Sequence, residues 1–184
     1  MILIRHGQSE FNAHHDRTGE DPGIPDPRLT ALGRRQVTEA AVRLKDHPVP
    51  LRRVLTSPYT RAIETAEIVA RTLDLPIEVE PLVHERAFYQ CDIGTPRSRL
   101  ATAWPGLAFD HLPEVWWPNL DETHDQVELR CRNFHQRAAA LPDWQHVVVA
   151  SHWAFILQLT GHSAQNAELV PFDPTLARNA RRAG

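Results

Sequence analysis

The chain has 184 residues, of which 42% are hydrophobic, and its 20 basic and 23 acidic residues give a formal net charge of −3. This length fits one domain with a sizeable core, and the scattered, balanced charge excludes the basic footprint of a nucleic-acid or membrane-surface binder. No apolar run approaches the length of a membrane span, about 20 residues, and no charged leader precedes an apolar segment. Cys91 and Cys131 form no CxxC pair, so we expect a reduced, cytoplasmic protein.

The N-terminal segment carries the first chemical signal. An apolar run of four residues predicts a short buried strand, and Arg5 and His6 follow it directly. A cation and an imidazole at the end of a buried strand are costly to desolvate unless an anion meets them. Gly7 allows a sharp turn and close approach of a ligand, and Ser9 and Asn12 add short hydrogen-bonding side chains. This combination suits a phosphoryl group, although Arg-His-Gly alone also fits a capped strand end.

The whole stretch Arg5–Asn12 reads Arg-His-Gly-Gln-Ser-x-x-Asn. This pattern, directly after an N-terminal strand, resembles the signature of the histidine phosphatase superfamily, in its phosphoglycerate-mutase-like branch. We assign Ser9 and Asn12 to substrate binding, with Asn12 adding a hydrogen bond to the phosphoryl group.

The polar stretch from 13 to 28 is rich in Pro, Asp and His and predicts a mobile loop bordering the site. It contains His14, His15 and Asp16, but adjacent histidines point in different directions and no HxxxH or HxH spacing follows. We therefore expect no metal there. Next, Thr30 is a plausible N-cap of a helix that runs to Leu44 and ends before Pro48. This segment resembles a structural stretch of the family.

Residues 53–56 predict a second short strand, and Ser57 and Pro58 predict the start of a helix, as N-cap and N1. Arg61 then lies in the first helical turn, against the helix dipole but where anion sites gather. A structural salt bridge is the alternative. The stretch Ser57–Ala66 reads Ser-Pro-x-x-Arg-Ala-x-x-Thr-Ala and resembles the second family motif, which implies phosphate binding by Arg61.

A third strand is predicted over Pro76–Pro81, followed by Glu85 and Arg86. In the family a glutamate here, often followed by arginine, is the general acid, so the resemblance implies that role for Glu85. Val83 stands where leucine is usual, and an exposed loop glutamate is the alternative. We assign Arg86 to substrate binding.

Residues 87–121 are irregular and contain Trp104, Trp116 and Trp117. In the family this insertion roofs the site and sets substrate preference, and its aromatic residues could line the roof or pack it; packing is the commoner fate. A helix follows over Asp121–Leu141, with Cys131 on its buried stripe.

The next apolar run, Trp144–His152, predicts a buried strand that ends in Ser-His and resembles the last catalytic motif of the family. Trp153 stands where glycine is usual, and its ring could narrow the pocket, form a wall for an apolar substrate group or block it. We assign Trp153 to substrate binding. A helix over Phe155–Leu159 and a closing strand within Asn166–Asp173 complete the chain.

Alternating strands and helices predict an α/β protein with a largely parallel sheet, and the candidate residues follow strand ends, where such sheets bind ligands. The resemblance covers about residues 1–173 and implies a three-layer α/β/α sandwich of the phosphoglycerate-mutase type. We expect one domain over 1–173, an insertion at about 87–121 and a loose tail over 174–184.

Hydrolysis of a phosphomonoester needs an in-line nucleophile, charge stabilisation on the equatorial oxygens and a proton for the leaving oxygen. His6 as a neutral imidazole can attack and form phosphohistidine, while Arg5, Arg61 and His152 supply the positive field. Glu85 would protonate the leaving group and then deprotonate water, which requires a raised pKa.

The favoured prediction is a metal-independent phosphomonoesterase without a cofactor, acting on a small phosphorylated metabolite or on protein phosphohistidine. A mutase with the same first half-reaction and an inactive phosphate-binding protein are the alternatives. No nucleic-acid or membrane partner is expected. The identity of the substrate and the oligomeric state are not predicted.

Overall fold

The computed structural model describes residues 1–176, and within them five strands form one sheet with the order β3-β2-β4-β1-β5. The strands are β1 (Ile2–Arg5), β2 (Arg53–Thr56), β3 (Ile77–Val79), β4 (Val147–Ser151) and β5 (Leu169–Pro171). Strands β1 to β4 are parallel to one another, and β5 pairs with β1 in the antiparallel sense. The prediction of a mostly parallel sheet is confirmed.

Helices cover both faces of this sheet. They are α1 (Glu10–Thr18), α2 (Ala31–Leu44), α3 (Thr60–Leu73), α4 (Arg97–Ala103), α5 (His124–Ala139) and α6 (Trp153–Thr160). Successive strand side chains point to opposite faces, so Leu3 and Val149 join the core under α5 and α6, whereas Ile4 and Val148 join the core under α2 and α3. The predicted three-layer α/β/α sandwich is therefore confirmed.

The prediction of a loop from residue 13 to 28 is wrong for its first part, because α1 continues to Thr18. Ser9 caps α1 by accepting from the backbone N–H of Asn12 (3.2 Å), and the Asn12 side chain accepts from the Ser9 backbone N–H (3.1 Å). Gly19 ends the helix in the left-handed conformation, at φ 74°. None of the residues of α1 is fully buried. The helix therefore lacks the apolar periodicity by which helices are recognised in a sequence.

The start of α3 was predicted at Ser57 and Pro58, and this is also wrong, since α3 begins at Thr60. Its N-terminal donors are satisfied from a distance: the backbone N–H and the hydroxyl of Thr60 donate to the Asp26 carboxylate at 2.8 and 2.6 Å. A local capping pattern could not reveal a cap that lies 34 residues away. Arg61 still falls in the first turn of the helix.

The region 87–121 contains α4 and a short 3₁₀ turn over Gln90–Asp92. Trp116 is buried against Tyr59 and packs close to Gly94, where an added Cβ would lie 2.5 Å from its ring. The Trp116 ring therefore packs inside the region 87–121. Cys131 is fully buried in α5, as predicted. Between residues 1 and 176 no helix combines the length and the apolarity needed to cross a bilayer. The tail predicted over 174–184 lies mainly outside the described residues.

Candidate active site

The two histidines of the site lie at the ends of neighbouring parallel strands. Arg5 is in register with Ser151 across β1 and β4, and the His6 backbone N–H donates to the Ser151 carbonyl at 2.9 Å. The residues that follow these strands are therefore side by side, with the ring centroids of His6 and His152 5.1 Å apart. Both side chains are buried.

The hydrogen bonds of His6 define which ring nitrogen is free. Its Nδ1 lies 2.7 Å from the backbone carbonyl of Gly7. A carbonyl can only accept, so Nδ1 carries the hydrogen and Nε2 keeps its lone pair. Burial lowers the pKa of His6 well below the usual range, and the charges of Arg61 and Arg5 lower it further. His6 is therefore neutral at physiological pH, with Nε2 available as a nucleophile.

His152 is held through its other ring nitrogen, Nε2. Its Nε2 lies 2.8 Å from the hydroxyl of Ser57, and this hydroxyl also accepts from the backbone N–H of Tyr59 at 3.4 Å. If Ser57 donates to Nε2, the imidazole hydrogen is on Nδ1, which is buried and has no partner among residues 1–176. Burial first, and then the charge of Arg61, lower the pKa of His152 well below its usual range.

Two arginines provide the positive charge of the site. Arg61 is buried, donates to the Cys91 carbonyl (2.9 Å) and to the Asp92 carboxylate (3.0 Å), and lies over the Tyr59 ring. The structural salt bridge that the sequence left open is thus present. Arg5 donates from Nη1 to the Ala164 carbonyl at 2.9 Å.

Two nitrogen atoms of the site are buried without a hydrogen-bond partner in the described part of the chain, Arg5 Nε and His152 Nδ1. The Nε atoms of two further arginines also lack a hydrogen-bond partner, but each lies near a carboxylate. Arg53 Nε lies 3.7 Å from the Glu78 carboxylate, and Arg97 Nε lies 3.5 Å from that of Glu114. Among residues 1–176, Arg5 forms no ion pair of this kind, and only the more distant carboxylates of Glu85, Asp16 and Glu168 act on it. Arg5 Nε is a donor, and His152 Nδ1 is one when Ser57 donates to Nε2. Buried donors without partners are rare, and this pair of donors fits an anion with several acceptor oxygens.

Glu85 lies at the N-terminus of α6, beside the residue that carries the second imidazole. Its carboxylate accepts from the backbone N–H of Ala154 (3.0 Å) and of Arg86 (2.9 Å). Burial raises the pKa of Glu85, the nearby charge of Asp92 raises it further, and Arg61 opposes the shift. The carboxyl group thus has the raised pKa that a general acid requires.

A family model described as the histidine phosphatase superfamily (branch 1) matches residues 1–178. The chain belongs to the histidine phosphatase superfamily. The resemblance based on the stretches Arg5–Asn12 and Ser57–Ala66 is thereby confirmed.

Three similar proteins agree with this membership. The chain is 28% identical over 169 residues to "Uncharacterized phosphatase PhoE" of Bacillus subtilis, covering 92% of this chain and 80% of the relative. It is 28% identical over 159 residues to "Probable phosphoglycerate mutase GpmB" of Proteus mirabilis, and the match covers 83% of this chain and 68% of the relative. The solved structure of mycobacterial glucosyl-3-phosphoglycerate phosphatase Rv2419c with VO3 matches with a TM-score of 0.58 at 26% identity, covering 86% of this chain and 78% of that one. The prediction that the chain is an enzyme of the histidine phosphatase type is confirmed.

In this histidine phosphatase the segment that carries Glu85 is fixed by an ion pair that the sequence analysis missed. Arg130 of α5 donates to the carbonyls of Leu82 (3.0 Å) and His84 (2.8 Å) and pairs with Glu122 at 3.0 Å. Both side chains of the pair are nearly buried. An arginine three residues after the buried Val127 stands on the apolar face of the helix, and this was the available signal.

The four residues assigned to substrate binding lie in different surroundings. Ser9 and Asn12 form the cap of α1, and the Asn12 side-chain oxygen also accepts from Asn166, which donates to the His6 carbonyl as well. These contacts order the loop around His6. The assignment of Ser9 and Asn12 to substrate binding stays a prediction.

Arg86 and Trp153 are engaged with neighbouring segments. The Arg86 Nε donates to the Glu122 carbonyl at 3.0 Å, and the indole N–H of Trp153 donates to the Ser163 hydroxyl at 3.0 Å. The Trp153 side chain is 42% exposed, so it stands at the surface next to His152. Substrate binding by these two residues also stays a prediction.

The loop after β1, which carries His6, Gly7 and Gln8, packs directly against α2. A Cβ added at Gly7 would lie 2.4 Å from the Gly33 carbonyl, and one added at Gly33 would lie 2.1 Å from the Gln8 carbonyl. The side chain of Gln36 accepts from the Gln8 backbone N–H at 2.9 Å. The two glycines therefore allow α2 to support the loop that carries His6.

His14, His15 and Asp16 all lie on α1, and the His15 ring stacks on Phe11 with centroids 5.2 Å apart. Within residues 1–176 no group of three or more His, Cys, Asp or Glu side chains has the arrangement of a metal site.

Proposed function

We propose that this chain is a metal-independent phosphomonoesterase that hydrolyses small phosphorylated substrates through a phosphohistidine on His6. One observation carries the proposal: with the Ser57 hydroxyl assigned as the donor to His152 Nε2, the buried donors Arg5 Nε and His152 Nδ1 lack partners in the described chain, and they lie at the strand ends that carry a neutral imidazole. A phosphoryl group would satisfy both donors and present its phosphorus to His6 Nε2.

In the first half-reaction, the substrate phosphoryl oxygens bind to Arg5, Arg61 and His152. Nε2 of His6 attacks the phosphorus in line with the bond to the leaving oxygen, so the N–P bond forms as the O–P bond breaks. Glu85 gives its proton to the leaving oxygen, and the alcohol departs. The raised pKa of Glu85 supports this role, because it favours the protonated acid.

In the second half-reaction, Glu85 is ionised and takes a proton from water, whose oxygen attacks the phosphorus of phosphohistidine. The N–P bond breaks, inorganic phosphate leaves, and Glu85 is again protonated. The charges of Arg5 and Arg61 stabilise the equatorial oxygens in both steps, as divalent metals do in other phosphoryl-transfer enzymes. We propose that neither a metal nor a cofactor takes part.

The decisive experiment traps the intermediate. Rapid quenching during turnover of a ³²P-labelled aryl phosphate should leave label on His6, labile in acid and stable in base. His6→Ala should abolish the label and lower kcat by about 10³-fold or more. His14→Ala removes an imidazole from α1 and serves as the matched control, which should retain both label and activity.

A chelation experiment tests the proposal that no metal takes part in the reaction. Hydrolysis should survive excess EDTA, because the charge stabilisation is assigned to Arg5 and Arg61. Loss of activity that returns with added divalent metal would contradict it. Label on a residue other than His6 would overturn the proposed mechanism, but the proposal of phosphatase activity would stand.

The substrate class we propose is a small phosphorylated metabolite, or phosphohistidine on a protein, handled in the cytoplasm without a nucleic-acid or membrane partner. We further propose that residues 1–173 act as one domain and that residues 87–121 roof the site. The placement of Asp92 supports the latter, since this residue of the insertion contacts Arg61 directly.

A mutase is the second candidate, supported by the similarity to the probable phosphoglycerate mutase. After His152 the chain has Trp153 and Ala154. The family resemblance implies Gly-Asn at these positions in a mutase, so we rank it lower. Interconversion of 2- and 3-phosphoglycerate faster than phosphate release would establish it. Binding of phosphate without turnover or label would instead favour an inactive binding protein.

A further inference from the structure

Ser57, a buried serine of the second motif, does not start α3, because this helix begins at Thr60. It follows β2 directly, and its backbone N–H donates to the Ala150 carbonyl of the neighbouring strand β4 at 3.1 Å. The two strands are parallel and in register up to Ala150, so the residues that follow them lie side by side. The Ser57 hydroxyl therefore lies against His152.

The contact joins Ser57 Oγ to Nε2 of His152 at 2.8 Å. The same oxygen accepts from the backbone N–H of Tyr59 at 3.4 Å, and it forms no hydrogen bond with another acceptor in the described part of the chain. With the imidazole hydrogen on Nε2, the serine hydrogen would lack an acceptor and Nδ1 would lack a donor. With Ser57 as the donor, only the N–H at Nδ1 stays unpaired. The second arrangement leaves fewer buried polar groups unsatisfied.

The ring of His152 is enclosed by two further rings. It meets those of Tyr59 and His6 edge to face, at centroid distances of 5.3 and 5.1 Å, and all three side chains are buried. Because Ser57 engages Nε2, the nitrogen left for a ligand is Nδ1.

The two imidazoles of the site then present opposite groups. Nε2 of His6 presents a lone pair, which can attack phosphorus, and Nδ1 of His152 presents an N–H, which can donate to a phosphoryl oxygen. With the hydrogen of His152 on Nε2, both rings would present lone pairs, and these repel phosphoryl oxygens. The state of one ring thus decides whether the pair suits a phosphoryl group.

We propose that Ser57 is a positioning residue, whose hydroxyl holds His152 in the form with the hydrogen on Nδ1 and so makes this ring a donor to the phosphoryl group. This inference rests on the proposed function and deepens it by naming the residue that decides how His152 binds. Ser57 acts through the imidazole, because its one hydrogen is engaged by Nε2.

Nuclear magnetic resonance of the ¹⁵N-labelled protein tests the ring state in the resting enzyme, since ring nitrogen shifts identify the protonated nitrogen of a neutral histidine. The signals of His152 are those lost in His152→Asn. In the wild type they should show the hydrogen on Nδ1. In Ser57→Ala nothing donates to Nε2, so the form with the hydrogen on Nε2 should appear. His6, held by the Gly7 carbonyl, should keep its hydrogen on Nδ1 in both proteins.

Calorimetric titration with inorganic phosphate measures the consequence for binding. Ser57→Ala should raise the dissociation constant by about 5- to 10-fold and lower kcat/KM for 4-nitrophenyl phosphate by a similar factor. Thr56→Val is the matched control, because it removes a fully buried hydroxyl that donates to the Ser57 carbonyl at 3.0 Å and forms no hydrogen bond with His152. It should leave the ring state and the phosphate affinity unchanged.

Four outcomes overturn the inference: a wild-type hydrogen on Nε2 of His152, an unchanged ring state in Ser57→Ala, an altered ring state with unchanged phosphate affinity, or equal effects of Ser57→Ala and Thr56→Val. The wild-type spectrum needs no variant, so it can refute the inference even if Ser57→Ala does not fold. If no ester is hydrolysed and His6 is never labelled, the proposed function fails. The ring state and the phosphate dissociation constant are measured without turnover, so they still decide the inference.

Discussion

One hydrogen bond decides which ring nitrogen of His6 is free to react. Nδ1 of His6 donates to the Gly7 carbonyl, and this leaves Nε2 as the unprotonated nitrogen. The motif at the strand end identified His6 as a candidate, but it could not say which ring nitrogen is free to act as a nucleophile. That follows from the backbone conformation of the residue after it.

The acid limb of the pH–rate profile tests the state of His6. Because burial and the two arginines lower its pKa, the imidazole stays neutral below pH 6.5, and protonation removes the nucleophile only at lower pH. We expect kcat/KM, corrected for the substrate's own ionisation near about pH 6, to fall with an apparent pKa below 6.5. A limb centred at or above the ordinary histidine value would contradict a buried, neutral His6.

Glu85→Gln tests the general acid. The amide cannot donate the proton that an alkoxide leaving group needs, so kcat for glycerol 3-phosphate should fall by about 10²- to 10⁴-fold. Hydrolysis of 4-nitrophenyl phosphate, whose leaving group needs little protonation, should fall far less in the first step. Steady-state and burst kinetics with both substrates measure this. Equal losses would mean that Glu85 positions α6 through Ala154 and does not transfer the proton.

At the scale of the elements, two helices begin for different reasons. α1 is started by a reciprocal cap within its own sequence, Ser9 with Asn12, whereas α3 is started by Asp26 from a loop 34 residues earlier. The first cap is local and was overlooked because the helix has no apolar stripe. The second is a tertiary contact, so no pattern within α3 could have predicted where the helix begins.

Gly33→Ala tests the contact between α2 and the loop that carries His6. The added Cβ would overlap the Gln8 carbonyl, so the loop or the helix must shift, at a cost of about 1–3 kcal/mol in the free energy of unfolding. Urea denaturation and kcat should both show the effect, because the loop carries His6. Gly106→Ala is the matched control: nothing lies within 4 Å of its added Cβ. Comparable losses in the two variants would rule out the steric explanation.

Arg130→Met tests the ion pair that fixes the Glu85 segment. It leaves the buried Glu122 carboxylate without its partner, which costs about 3–5 kcal/mol of unfolding free energy. Arg132→Met on the same helix removes an exposed arginine 4.0 Å from Glu128 and should cost less than about 1 kcal/mol. Thermal and urea unfolding compare the two. If Arg130→Met matched its control, the segment would be held by other contacts.

For the molecule as a whole, three buried histidines couple stability to pH. His6, His84 and His152 all have a lowered pKa, which for His84 is about 3, chiefly because of burial. The folded state keeps them neutral while the unfolded chain takes up protons. Their stabilisation is therefore complete above about pH 6.5 and is lost as the pH falls.

We expect the free energy of unfolding, from urea titrations between pH 7.5 and 5.5, to fall on the acid side by about 1.4 kcal/mol per pH unit for each such histidine. Asp26 and Glu85, whose pKa burial raises, act in the opposite sense and reduce the net slope. His84→Asn should remove one histidine's share, and His14→Asn, at a half-buried position on α1, should not. An unchanged slope in His84→Asn would refute the assignment.

The sequence by itself determined the strands, the buried stripe of α5, and the residues that follow the strand ends. These features depend on periodicities and motifs over a few neighbouring residues, so they can be read without a fold. Because parallel strands end at one edge of the sheet, the order of motifs was enough to expect Arg5, His6, Arg61 and His152 together.

Only the tertiary structure decided how those residues are held and charged. Asp92 on Arg61 and Glu122 on Arg130 are ion pairs between segments 31 and 8 residues apart, and Asp26 caps a helix across 34. Their energies come from burial, which removes solvent screening and raises the cost of any unpaired partner. Burial is a property of the packed molecule, so local spacing in the chain cannot reveal these contacts, and the chemistry of Glu85 and His6 depends on them.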